Sequence, residues 1–158
     1  MSADNLEVKG LILFGHGARD PRWADTMKAL ADRIGALAPE LPLQLAYLEF
    51  MSPDLSAAVD VLVAQGVRTI VVAPVFLAAG GHVLRDLPDR LAAIAVRHPG
   101  LRMTVEPALG SHLSVIDAMA GICVGALQAA KKTGGRMTAV SLGSATVRNA
   151  ECHSEKNY

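Results

Sequence analysis

The stretch Val67–Val75 constrains the fold more than any other part of this chain. It reads Val-Arg-Thr-Ile-Val-Val-Ala-Pro-Val, so β-branched residues dominate it and its interior is apolar on both faces. A strand of that kind needs cover above and below, which is the setting of a central strand in a parallel sheet. Three other apolar runs read as strands. Val8–Phe14, ended by Gly15, is the first; Leu43–Leu48, after the breaker Pro39-Glu-Leu-Pro42, is the second; Leu101–Val105, after His98-Pro99-Gly100, is the fourth. Helical segments separate them. Pro21–Leu37 carries Trp23, Met27, Leu30, Ile34 and Leu37 at the period of an amphipathic helix, with Asp20 placed to cap it and Pro21 suited to its first turn. Ser52-Pro53 opens a second helix that runs to about Gln65 and ends at Gly66. Phe76–Leu87 reads as a glycine-containing loop, and Pro88 as the first turn of a third helix; a fourth covers about His112–Lys131. Strand and helix alternate four times, which argues for a parallel sheet with right-handed crossovers and helices on both faces.

The chain has 158 residues, enough for one domain with a real core. Its 15 basic and 15 acidic side chains balance, so nothing favours bulk attraction to nucleic acid or to a membrane surface. Cys123 and Cys152 show no paired spacing, which argues against a disulfide framework or a structural zinc site. The first residues lack a basic region followed by an apolar run, so no signal peptide is read. The apolar stretch Leu113–Ala130 holds Ser114, Asp117 and Gln128, groups that lipid accepts only at a cost. It is expected to be a buried or interface helix, with Gly121 and Gly125 marking close packing. A cytoplasmic protein is the expectation. The character changes after Lys131, dividing a domain at 1–131 from an extension at 132–158. In the extension Arg136–Val147 is a candidate fifth, edge strand, and the polar Asn149–Tyr158 is expected to be disordered.

Three residues stand out as carriers of chemistry. His16, Glu49 and His82 are spaced 33 residues apart, each shortly after a strand. In a parallel sheet such positions meet along one edge. His16 lies between Gly15 and Gly17, and His82 follows Gly80-Gly81, so both histidines have little steric cover. Glu49, between Leu48 and Phe50, is a poor choice for a buried site unless it is paired or working. Two imidazoles and a carboxylate suit a borderline divalent ion, and the same groups accept protons. Arg19, Arg22 and Arg85 lie close in sequence to the histidines and are candidates for a cationic rim around a carboxylate-rich ligand. His98 is placed at a helix end where a cation suits the dipole, and His112 reads as a surface or capping residue.

These residues carry a family resemblance. Leu13-Phe14-Gly15-His16-Gly17-Ala18-Arg19-Asp20-Pro21, then Ala46-Tyr47-Leu48-Glu49-Phe50, then Pro74-Val75-Phe76-Leu77 leading into Gly80-Gly81-His82 and Asp86-Leu87-Pro88, resemble the short, single-domain class II chelatases of the CbiX/SirB type. The resemblance covers about residues 8–127, with Ala18 where members commonly carry Ser. It implies a three-layer α/β/α domain whose four-stranded parallel sheet has the order 2-1-3-4. It implies ATP-independent insertion of Co²⁺, Fe²⁺ or Ni²⁺ into sirohydrochlorin, for cobalamin, sirohaem or a nickel tetrapyrrole, with no cofactor beyond that metal. His16, Glu49 and His82 would be metal ligands and proton acceptors, and Arg19, Arg85, Gly80 and Gly81 would contact the tetrapyrrole. Longer relatives place two such domains about one cleft, which implies a homodimer here, with Leu113–Ala130 as a candidate interface element.

Rival chemistries fit less well. A histidine phosphatase would need Arg-His-Gly after the first strand, and Gly15 stands where that arginine would be. Neither a GxSxG nucleophile elbow nor a GxxxxGK[ST] phosphate loop is present. A non-catalytic carrier of metal or tetrapyrrole using the same pocket stays open, because binding and insertion require the same ligands.

Overall fold

A computed structural model describes residues 8–78 and 81–132, with the backbone alone at 81–86 and 131–132. Its elements are β1 (Lys9–Gly15), α1 (Ala24–Leu37), β2 (Leu43–Tyr47), α2 (Leu55–Ala64), β3 (Thr69–Pro74), α3 (Gly81–Arg97), β4 (Arg102–Val105) and α4 (Leu113–Lys132). Short 3-10 turns at Pro21–Trp23 and Leu109–Ser111 precede α1 and α4. The strands form one sheet in the order β2-β1-β3-β4, every pair parallel. This is the order the resemblance implied, and β1 and β3 lie side by side where the order reverses. The candidate strand Arg136–Val147 and the tail Asn149–Tyr158 lie outside the described residues.

The two-residue period of the strands sorts the core into layers. Ile12 and Phe14 of β1, with Ala46, Ile70 and Val72, face Leu55, Ala58, Val59 and Leu62 of α2 and Leu87 and Ile94 of α3. Leu13, Tyr47 and Ala73 point the other way and pack on Ala24 and Met27 of α1. Ile12, Phe14, Leu62 and Ile70 are fully buried. Each such side chain contributes about 1.5–3 kcal/mol by leaving water.

Three element boundaries differ from expectation, each for a local reason. α2 begins at Leu55 rather than at Ser52-Pro53. The Tyr47 N–H donates to the Pro53 carbonyl at 2.9 Å, which holds Pro53 beside β2, and the Asp54 carboxylate then caps the helix by accepting from the Ala57 N–H at 2.8 Å. α3 begins at Gly81, so His82 belongs to a helical first turn and Pro88 sits inside the helix. Leu87 is buried in the same cluster as Ile94, one helical face, so the helix is already running before the proline. Pro88 removes one intrahelical N–H without ending it. The start of α1 is closer to expectation: Asp20 accepts from the Arg22 N–H at 3.0 Å, and Pro21 opens a 3-10 turn that leads into the helix.

The chain divides into two units, Met1–Ala120 and Gly121–Tyr158, with the boundary inside α4. Of the two expectations for Leu113–Ala130, a buried helix or an interface helix, burial does not hold among the described residues, where none of the segment is buried; its mean hydropathy is 1.7. By length and composition alone it is able to cross a membrane, although Asp117 lies within it. An added Cβ at Gly121 or Gly125 would meet nothing within 4 Å among the described residues. The apolar sequence signals a need for cover, and the described residues do not provide it.

Candidate active site

The ladder between β1 and β2 continues beyond the strands and brings two of the three candidates together. The Leu48 N–H donates to the Gly15 carbonyl at 2.9 Å, and the Glu49 N–H to the His16 carbonyl at 3.1 Å. With the backbones so joined, Glu49 Oε1 lies 3.2 Å from His16 Nδ1, and both side chains are about half exposed. A carboxylate on one ring nitrogen fixes the orientation of an imidazole and makes it a better base or ligand.

The glycines around His16 have separate uses. Gly15 ends β1, where an added Cβ would come within 3.0 Å of Trp23 Cη2 and Met27 Cε. Gly17 takes φ 83°, and a Cβ there would stand 2.0 Å from the Glu49 carbonyl oxygen. The turn after β1 therefore presses on the turn after β2, and only a residue without a side chain permits that approach.

Aromatic rings support the pair from below. The Phe76 ring meets the His16 ring edge to face at 6.0 Å and the Phe14 ring likewise at 6.0 Å. Phe14 is fully buried, so a continuous path of rings links the core to His16. Phe76 is held in turn: its carbonyl accepts from the Gly110 N–H at 2.8 Å, and a Cβ at Gly110 would lie 2.4 Å from Leu77 Cα. Beneath the site Trp23 and Tyr47 pack edge to face at 6.4 Å, and burial raises the Tyr47 phenol above its ordinary pKa.

His82 occupies the second position of α3, the helix that follows β3, and its side chain is outside the described residues. The same applies to Arg85, while Gly81 opens α3 and Gly80 lies outside the described residues. Among the described residues no three His, Cys, Asp or Glu side chains form a cluster suited to a metal. His16 and Glu49 are thus the described part of the expected triad.

The arginines divide. Arg22 is engaged by Asp20, with Nη2 to Oδ2 at 2.6 Å, and this pairing holds the Asp20 carboxyl below the usual range. Arg19 instead lies over the Phe50 ring, its Cζ 5.4 Å from the centroid. His98 follows the last residue of α3, at a helix end as expected, and its Nε2 also lies 2.7 Å from Asp60 Oδ1. Asp60 also accepts from Arg97 at 2.6 and 2.7 Å, which ties the end of α3 to α2. His112 ends the 3-10 turn, and its carbonyl accepts from Val115 and Ile116 at the start of α4. A cavity of about 150 Å³ between α2 and α3, lined by Asp54, Ser56, Arg90 and Arg97 among others, contains none of the candidate ligands.

Sequence reasoning missed Phe50 and Phe76. Phe76 is an apolar residue just past β3, a position shared by many packing residues. Phe50 has φ 62°, a conformation signalled in sequence by Gly or Asn and seldom adopted by an aromatic residue.

Several known proteins are similar to this chain in sequence or in fold. Sirohydrochlorin cobaltochelatase of Methanocaldococcus jannaschii is 34% identical over 91 residues, covering 58% of this chain and 64% of that protein. The protein of the same name from Methanothermobacter thermautotrophicus is 35% identical over 82 residues, covering 52% and 57%. The chain thus matches 57–64% of the length of these two curated relatives. Among solved structures, a CbiX protein of Marinobacter aquaeolei VT8, named for cobalamin (vitamin B12) biosynthesis, superposes with a TM-score of 0.70 at 28% identity and covers 78% of this chain and 98% of that one. The sirohydrochlorin chelatase SirB from Bacillus subtilis subspecies spizizenii, solved in complex with cobalt, shares the fold with a TM-score of 0.66 at 23% identity, over 74% of this chain and 50% of that one. Residues 10–121, most of the chain and all four strands but for the first residue of β1, match the CbiX family, and the chain belongs to it.

Proposed function

We propose that this protein inserts a divalent metal, Co²⁺ or Fe²⁺, into sirohydrochlorin without ATP, serving cobalamin or sirohaem synthesis. The observation that carries the reading is the His16–Glu49 pair, 3.2 Å apart at the C-terminal edge of β1 and β2 in a CbiX-family chain. In open parallel sheets ligands bind beyond the strand ends where the strand order reverses, and here that point is β1 beside β3. Insertion requires removal of two pyrrole protons as the metal enters. His16, oriented by Glu49 through Nδ1, accepts a proton or holds the metal, and His82 at the start of α3 does the same from the β3 side. Glu49 acts chiefly by orienting the imidazole and balancing charge. The metal is a substrate, and no further cofactor takes part. Residues 1–131 form the catalytic domain, a second copy completes the cleft as a homodimer using the exposed face of α4, and the enzyme is cytoplasmic.

The test is anaerobic metal insertion followed by absorbance, with excess sirohydrochlorin and Co²⁺, Fe²⁺ or Ni²⁺ in turn. Multiple turnovers above the uncatalysed rate support the reading. Stoichiometric pigment binding without turnover refutes it in favour of a carrier.

A further inference from the structure

The loop after β2 places a strained aromatic residue beside the catalytic pair. Phe50 has φ 62°, and no other non-glycine residue among the described ones has positive φ. The Met51 N–H donates to the Glu49 carbonyl at 2.8 Å, which closes a tight turn around Phe50. A bulky residue in this conformation costs free energy that glycine would not. Burial does not offset that cost, since Phe50 is 59% exposed. Strain of this kind persists where the surroundings enforce it, and it concentrates at sites that hold ligands.

The surroundings of the ring suggest which ligand. Arg19 lies over it at 5.4 Å, within the range of a cation–π contact. Among the described residues no carboxylate forms an ion pair with Arg19, because neighbouring Asp20 is taken by Arg22. A guanidinium held by a ring, with no acidic partner among the described residues, is placed to receive a carboxylate. The sheet order adds a second apolar element. β1 lies between β2 and β3, so the loops after β2 and β3 flank the His16 loop. Phe50 occupies one of these loops, and Leu77, 70% exposed, occupies the other. An apolar side chain on each side of a polar pair, with a cation at one rim, matches a broad flat macrocycle edged with carboxylates.

We propose that Phe50 and Arg19 form a substrate-docking element, in which the Phe50 ring bears on the macrocycle and the Arg19 guanidinium binds a peripheral carboxylate. This rests on the chelatase reading and extends it to residues that set pigment affinity rather than metal chemistry. The turn aims the ring outward, and the ring in turn keeps the guanidinium in place.

The experiment compares the full-length wild type with Phe50→Gly, Arg19→Gln and the double variant. Phe50→Gly accepts the positive φ without strain, so its urea midpoint should equal or exceed that of the wild type. Sirohydrochlorin affinity is read without metal by fluorescence titration, and KM for pigment and for Co²⁺ are read separately in the insertion assay. Each single variant should weaken pigment binding roughly tenfold and raise the pigment KM alike, with the Co²⁺ KM unchanged. The double variant should lose less than the two single losses combined, because the groups act together. Single variants with wild-type pigment affinity, in a wild type that turns over, overturn the docking element while leaving the chelatase reading in place. A wild type that neither binds nor metallates sirohydrochlorin overturns both.

Discussion

Replacing Gly17 by alanine tests whether the contact between the two site turns is as close as the geometry indicates. The new Cβ would lie 2.0 Å from the Glu49 carbonyl oxygen, 3.2 Å from its carbon and 3.4 Å from Tyr47 Cβ. Neither neighbour yields readily: the Glu49 backbone is bonded to His16, and Tyr47 is buried between α1 and β1. Two costs add. Alanine at φ 83° costs about 1–2 kcal/mol. Forcing a methyl group against a fixed backbone costs a further ~1–3 kcal/mol. The expected loss of stability is therefore about 2–5 kcal/mol. Gly66→Ala separates the terms, because Gly66 has φ 87° with nothing within 4 Å of an added Cβ. It should lose only the conformational part, about 1–2 kcal/mol. Gly35→Ala, in α1 with open space around it, should gain about 0.5–1 kcal/mol. Urea unfolding of the three variants, with metal insertion measured on the folded fraction, gives the comparison. If Gly17→Ala falls within about 0.5 kcal/mol of Gly66→Ala, the additive reasoning fails. If it also retains wild-type turnover, the packing of one turn on the other does not position the pair.

Other consequences are open to direct measurement. His16→Ala should reduce kcat for insertion by about 10²-fold or more, and Glu49→Gln by about 10–100-fold, with unfolding free energies within about 0.5 kcal/mol of the wild type; unchanged kcat in either variant argues against the assigned pair. Gly110→Ala should push on Leu77 Cα, 2.4 Å away, lowering stability by about 1–3 kcal/mol and slowing turnover through Phe76, so turnover at the wild-type rate would separate that ring from the site. Asp60 offers a pH test. Burial pushes its carboxyl upward, but hydrogen bonds and charge from His98 and Arg97 outweigh this and leave it below the ordinary value. A carboxyl depressed in the folded state stabilises above its unfolded pKa and loses that contribution as pH falls through its folded one. The stability gap between wild type and Asp60→Asn should thus be full near neutrality and close below about pH 4; a gap that persists undiminished in strong acid would count against the pairing.

Much of the scaffold was visible in the amino-acid pattern because it follows from burial. Runs such as Ile70–Val72 must be covered on both sides, and the amphipathic period of α1 indicates which of its faces does the covering. The alternation implied a parallel sheet, and the family motifs supplied its order. What escaped were features decided by a single local competition. Pro88 suggested a helix start, yet the buried face of Leu87 and Ile94 extends the helix upstream through it. Arg22 resembled a ligand-binding cation until Asp20, two residues away, claimed it. The apolarity of α4 was plain, but hydrophobicity specifies no partner. At the site, His16 and Glu49 were legible because polar residues beside strand ends are conspicuous. Phe50 was not, since nothing in an aromatic side chain announces a left-handed backbone.

The segment after β2 stays bonded to the end of β1 through Leu48 and Glu49, then returns at Pro53, whose carbonyl accepts from the Tyr47 N–H. Its two ends are anchored within a residue of each other along β2, while Glu49, Phe50 and Met51 form the crest between them. Phe50 and Met51 therefore lie outside every strand register and helix cap, and their side chains can change without moving either. On the proposed reading, variation in pigment preference is confined to Phe50 and Met51, with Glu49 and the folding core kept as inheritance.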